Sequence, residues 1–194
     1  PSPKVDAFVN LWMKKGMEFC LQRKDATRDN LQFADGLVMS RPDLVKHWVL
    51  RAMSFQYPDG HAVRSWVPLD ETHYGDSHMW LVLTGCGYVK YWDDLAFLEE
   101  RVPFFRGEPA TVLQHLERVI ECFDRDRGPR GLPRNRWAEW NDAFNLADPE
   151  AENVFLAMSF GYALKEMEGL MRRLGRAEEE QRYAAMHRDL KALV

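Results

Sequence analysis

Residues 77–91 read SHMWLVLTGCGYVKY. Trp80, Leu81, Leu83, Tyr88 and Tyr91 recur at helical spacings, yet apolar side chains also fill most of the remaining circumference. A helix that is apolar all round needs partners on more than one side. Residues 153–164, NVFLAMSFGYAL, repeat the feature. A finished bundle of amphipathic helices does not look like this, whereas the inner helices of a double-layered helical barrel do.

Outward from this stretch the helical period continues. Residues 4–21 carry Val5, Phe8, Val9, Trp12, Met13 and Phe19 at spacings of three and four. Pro42 opens DLVKHWVLRAMSFQ, with Ser40 as the expected N-cap, and the YPDG turn closes it. A further helix is expected from Pro109 through TVLQHLERVIECF. The run NVFLAMSFGYALKEMEGLMRRLG should stop at Gly175, a natural residue just past a helix end. AEEEQRYAAMHRDLKALV reaches the carboxyl end as a charged helix. Strand signals are scarce, the best being HAVRSWVPL at 61–69, a short strand or an extended loop wall. The reading is an all-α single domain of about six to eight helices over residues 1–194. Its loops exceed the roughly 2–8 residues usual between bundled helices, and loops of that length tend to carry function.

Composition narrows the function classes. Apolar residues make up 46% and charged residues 29% of the 194, which fits a folded globular chain. A net charge of −4 points to neither nucleic acid nor an anionic membrane as partner. No apolar run approaches the roughly 20 residues of a membrane span. PSPKVDAFVN shows no signal peptide, so a cytoplasmic protein is expected. Cys20, Cys86 and Cys122 lie far apart among apolar residues, without a zinc-ligand spacing, and read as structural thiols. Aromatics reach 12%, with seven tryptophans. They fill cores, but they also make stacking walls for flat ligands, and without a basic excess the ligand is better a sugar than a base.

Three stretches could carry chemistry. In RWAEWNDAFNL, residues 136–146, two tryptophans and two carboxylates crowd a connecting segment. Trp137 and Trp140 could plug a gap at a helix end while Glu139 and Asp142 cap the next helix. Alternatively Trp140 forms a wall for a pyranose ring, and Asp142, partly desolvated beside indoles, donates a proton to a glycosidic oxygen. In RKDATRDNLQFADG, residues 23–36, Arg23, Arg28, Asp29, Gln32 and Asp35 fall where a helix ends and a loop begins. Arginine forks suit carboxylates or phosphates and aspartates suit paired sugar hydroxyls, although a salt-bridged turn explains the same residues. Residues 56–80 mix His61, His73, His78, Asp59, Asp70, Glu71 and Asp76 with Trp66, Tyr74 and Trp80. Lacking HExxH or HxH spacing, they point to a hydroxyl-rich ligand, and no metal is expected.

With these stretches in view, the chain resembles glycoside hydrolase family 94, the cellobiose and chitobiose phosphorylases, from about Val9 to Tyr183. TRDNLQFADG is similar to the family's G-[FY]-R-D-x-x-Q-D segment, and SFQYPDGHAVRSWVP to its QF-x-DG-x-x-x-H segment. YGDSHMWLVL is similar to its DD-x-LWL helix start. LEERVPFFRGE and GLPRNRWAEWNDAFNL resemble the region ending in D-W-N-D, and ENVFLAMSFGYALKEM the helix after it. The resemblance implies an (α/α)6 barrel, of the six-hairpin glycosidase kind, and inverting phosphorolysis of a β-linked disaccharide or oligosaccharide to a sugar 1-phosphate. It implies Asp142 as general acid and Trp140, Trp137, Arg28, Asp29 and Gln32 around the donor sugar. Arg23, six residues before the R-D aspartate, falls at the phosphate site. No cofactor is implied beyond inorganic phosphate as co-substrate, and the partners are small sugars and phosphate.

Departures from the pattern bear on which sugars fit. Ala26 and Thr27 replace a glycine and an aromatic, Phe33 stands for an aspartate after Gln32, and Glu139 replaces the first aspartate of D-W-N-D. The family's preceding β-sandwich and its later helices, which bring a histidine and a Thr/Ser-Gly loop to the phosphate, have no counterpart here. The expectation is therefore roughly the first half of a barrel, weakly active alone and prone to associate through uncovered helices. The alternatives are an inverting hydrolase using Glu139, Asp76 or Asp29 as base, a β-glucan-processing phosphorylase or cyclic glucan synthase domain, and a silent sugar-binding helical domain.

Overall fold

A computed structural model of the chain describes residues 2–144 and 148–194, so Asn145 and Leu146 of the RWAEWNDAFNL stretch lie outside the described residues. The chain begins with one unbroken helical rod: α1 (Pro3–Ala7), a π-helical run (Phe8–Met13) and α2 (Lys14–Leu21), with helical dihedrals across both joints. Its apolar period is the predicted one, but Leu21 is its only buried residue.

The RKDATRDNLQFADG stretch departs from expectation. Instead of opening a loop, Thr27–Asp35 forms a helix, α3, with Thr27, Asn30, Leu31 and Ala34 buried. The start of α3 is set from a distance, because the Thr27 amide donates to the Arg64 carbonyl at 3.0 Å. Buried Asn30 then braces the turn from α2: its Oδ1 accepts from the Ala26 amide, and its Nδ2 donates to the carbonyls of Leu21 and Lys24.

Helix α4 (Pro42–Met53) starts with Pro42 as foreseen, but Arg41 rather than Ser40 is its N-cap residue. The Ser40 hydroxyl instead donates to the Leu37 carbonyl. The 61–69 stretch becomes a small ribbon, β1 (Ser65–Trp66) against β2 (Leu69–Asp70). Helix α5 (Met79–Trp92) follows, then a 3₁₀ turn (Leu95–Glu99) and a second ribbon, β3 (Arg101–Pro103) with β4 (Pro109–Thr111). Pro109 belongs to that ribbon, so α6 (Val112–Arg125) begins later than expected. It is fixed by a capping box in which Thr111 and Gln114 satisfy each other's amides. Helix α7 (Val154–Arg173) is capped by the Asn153 side chain and ends before Gly175, whose φ of +70° ordinary residues avoid. Helix α8 (Ala177–Leu193) folds back along α7.

The architecture is the all-α one expected, and α5 is its axis. Helices α3, α4, α6 and α7 all pack on it, and Leu81, Val82, Cys86 and Val89 are buried there. Burial pushes the Cys86 thiol up from its ordinary value and the Cys122 thiol up to about 12, as suits inert structural thiols. Helix α7 keeps one apolar line, Phe155, Met158 and Tyr162, open to solvent. Among the described residues, no helix is long and apolar enough to cross a membrane.

A candidate sugar- and phosphate-binding cleft

The loop ends of α2, α3 and α5 meet the segment 133–144, and backbone pairing holds the meeting in place. The Gly75 amide donates to the Ala138 carbonyl at 2.8 Å, the Trp137 amide donates to the His73 carbonyl at 3.1 Å, and Tyr74 pairs with Arg136. This stitching explains how two tryptophans can sit in a connecting segment: its backbone serves as a strand against residues 73–75. Ala138 and Glu139 face inward, at 0% and 5% exposure, while Trp137 and Trp140 stand outward. The Glu139 carboxylate accepts from the Asn141 amide at 3.1 Å, shaping the turn that presents Asp142.

Above this turn lies a polar cleft of about 430 Å³. Arg23, Arg28, Asp29 and Asp142, four of the residues singled out in the sequence, line it together. Lys24, Asp25, Arg64 and Tyr74 also line it, the guanidinium of Arg64 lying 4.8 Å from the Tyr74 ring centre while also donating to Asp70. Gln32, one helical turn beyond Arg28 on α3, is partly buried and outside the lining, and the exposed Trp137 and Trp140 are outside it too. The Asp142 side chain is 53% exposed, so the screening by indoles expected of it is not seen, and an arginine is its partner instead.

Arg28 ties the site together. Its Nη2 donates to Asp142 Oδ1 at 2.7 Å, and its Nη1 donates to the Glu139 carbonyl at 2.9 Å and to both oxygens of Asp76 at 3.2 and 3.3 Å. Asp76 is fully buried. Burial pushes its carboxyl above the ordinary value, and the Arg28 charge pulls the other way. Burial also works against the charge on Arg28, but Asp76 and then Asp142 outweigh it and raise its pKa. Of the three carboxylates weighed as a hydrolytic base, Asp76 and Glu139 are shut out of the cleft and Asp29 alone lines it, 3.4 Å from the Lys24 ammonium. Sequence reasoning passed over Lys24 and Arg64. Arg64 is carried in by the β1 ribbon pairing with the turn before α3, and no local pattern shows such a pairing.

Packed helices whose loop ends enclose a cleft lined by four basic side chains (Arg23, Lys24, Arg28 and Arg64) and three carboxylates (Asp25, Asp29 and Asp142) make this a helical domain with a polar, ligand-sized cleft. Residues 13–194 match the Glycosyl hydrolase 94 superfamily, catalytic domain, and the chain belongs to that superfamily. Its helices are part of an (α/α)6 barrel. The chain is 32% identical to a solabiose phosphorylase of Paenibacillus borealis over 184 residues, which are 92% of this chain and 24% of that protein. It is 30% identical to an N,N'-diacetylchitobiose phosphorylase of Vibrio proteolyticus over 112 residues, 57% of this chain and 14% of that one. A cellobionic acid phosphorylase of Neurospora crassa is 24% identical over 179 residues, 84% of this chain and 23% of its own length. The chain thus spans about a quarter or less of the curated relatives it matches.

Proposed function

We propose that the protein carrying this chain cleaves a β-linked disaccharide or oligosaccharide by phosphorolysis, with inversion, releasing a sugar 1-phosphate and a free sugar. The observation that carries the reading is the convergence of Asp142 with Arg23 and Asp29 in one cleft, although Asp142 lies more than a hundred residues along the chain from both. Asp142 gives its proton to the glycosidic oxygen as the bond from C1 breaks. A phosphate oxygen, drawn by Arg23, bonds to C1 from the opposite face, and the carboxylate left on Asp142 is reprotonated from solvent. Asp29 accepts from donor-sugar hydroxyls. Trp140 and Trp137, exposed on the same segment as Asp142, offer open indole faces to a sugar ring that extends past the cleft, and Gln32 supports the donor side from α3. No cofactor or metal takes part in this scheme, because phosphate arrives as a competent nucleophile.

The names of the matched relatives support the reaction class, since each is a disaccharide phosphorylase. Three unpaired cysteines agree with a reducing, cytoplasmic setting for such sugar metabolism. Residues 1–194 act in this scheme as part of one catalytic domain. Its exposed α7 line is covered by further helices or by a second copy.

The test uses the full-length protein and β-linked disaccharides of glucose, galactose and N-acetylglucosamine. Sugar release that requires inorganic phosphate supports the proposal, and release in its absence would make the protein a hydrolase instead. Asp142→Asn should lower phosphorolysis of unactivated disaccharide by about 10²–10⁴, the usual worth of a positioned acid. An unchanged rate would remove Asp142 from the mechanism.

A further inference from the structure

We propose that Arg28 does not bind the sugar but is a positioning residue for the acid, and that buried Asp76 is the anchor through which it does so. The proposal rests on the phosphorolysis reading above and adds to it how the proton donor is held.

The geometry points this way because both terminal nitrogens of the Arg28 guanidinium already donate to acceptors of the protein. One nitrogen holds the Asp142 carboxylate, and the other holds the Glu139 carbonyl three residues earlier together with the Asp76 carboxylate. Both the acid and the backbone of the turn that presents it are therefore fixed to one planar group. That group is itself only 14% exposed in its side chain. An arginine suits this place where a lysine does not, since its separate nitrogens reach three acceptors in a rigid fork.

Asp76 makes the tether a fixed reference rather than a surface ion pair. It is fully buried, its carbonyl accepts from the Met79 amide at the first turn of α5, and α5 is packed against α3, α4, α6 and α7. The position of the proton donor is in this way tied to the core helix through two side chains. Arg28 engages only Oδ1 of Asp142. Among the described residues Oδ2 has no hydrogen-bond partner, which leaves one oxygen to carry the proton while the other is held. A catalytic group held within a fraction of an ångström gains much of its effect from that placement.

The experiment compares Asp76→Asn, Arg28→Gln and the double variant in the full-length protein on two substrates. One is the disaccharide the parent protein cleaves with phosphate. The other is the β-glycosyl fluoride of the same donor sugar, whose leaving group departs without a proton. Positioning of the acid predicts that kcat on the disaccharide falls about 100-fold, within the range of general acid catalysis, with KM changed little and the fluoride rate kept within about fivefold. Equal losses on both substrates would overturn the proposal, because a merely structural role lowers both alike. A rise in KM with kcat retained would also overturn it and return Arg28 to sugar binding. Should Asp76→Asn fail to fold, the double variant leaves no unpaired buried charge, and it reads the same ratio. A parent protein without phosphate-dependent cleavage sinks the function reading itself, whereas an active parent with equal losses sinks only the tether.

Discussion

Helix α5 and the rod from Pro3 to Leu21 carry similar apolar periods, and they end in opposite circumstances. In α5, Leu81, Val82 and Val89 are at 0% exposure, whereas in the rod Phe8, Leu11 and Trp12 are at 57%, 57% and 72%. The pattern of apolar residues predicts that a helix forms. It does not say whether the partner for each face lies within the same stretch of chain. Around α5 four helices supply partners, but the outer face of the rod meets none of the described residues closely enough to be covered.

The largest effect should come from the enclosed helix. Leu81→Ala is expected to cost about 2–5 kcal/mol, measured by urea denaturation, because a fully buried leucine leaves both lost transfer energy and a cavity. A cost below about 1 kcal/mol would mean that α5 is less tightly enclosed than described.

Next comes pH, acting where α5 begins. Burial depresses His73 from its ordinary 6.5 to about 4, and His78, the residue before α5, well below its ordinary value. Both rings stay neutral in the folded protein while the unfolded chain takes up protons. Stability is thus intact above about pH 6.5 and is lost as pH falls toward 4. His73 alone accounts for about 3 kcal/mol of that loss, since each pH unit between its unfolded and folded values is worth about 1.4 kcal/mol. His73→Gln should flatten the dependence of the urea midpoint on pH across this window. An unchanged slope would show that the ring is not held neutral.

A smaller effect belongs to α6, whose start is fixed locally. Thr111→Ala removes one half of the capping box and should lower stability by about 1 kcal/mol in the same denaturation assay. The smallest should fall on the rod: Trp12→Ala is expected to change stability by no more than about 0.5 kcal/mol. A cost of about 2 kcal/mol or more would show that this face is covered in solution, which would erase the contrast with α5.

The same contrast explains what is legible in the sequence. Helix α5 announces itself because burial on several sides forces apolar residues into most positions. Helix α7 does so because it is apolar both where α5, α6 and α8 cover it and along its open line of Phe155, Met158 and Tyr162. Helix α3 does not, since Arg28, Asp29, Gln32 and Asp35 make it polar and no side chain caps it. Its start depends on Arg64, 37 positions after Thr27, and such a pairing has no local signature. Ser40 reads as a cap because serine before a helix start so often is one, but its hydroxyl finds a nearer carbonyl. In the site, residue type and resemblance together pick out Arg23, Arg28, Asp29 and Asp142, which the fold brings into one cleft. The role of Asp76 is hidden, because only the fold shows that a carboxylate 48 residues away turns Arg28 toward the protein.

The paired backbones of residues 73–75 and 136–138 have a consequence for motion. Donors cross this seam in both directions, from Gly75 one way and from Trp137 the other. Neither segment can drift alone without stranding an amide of its own or a carbonyl of its neighbour. Fluctuations that loosen the turn at residue 142 must also fray the approach to α5, so these amides should exchange with solvent at one shared rate.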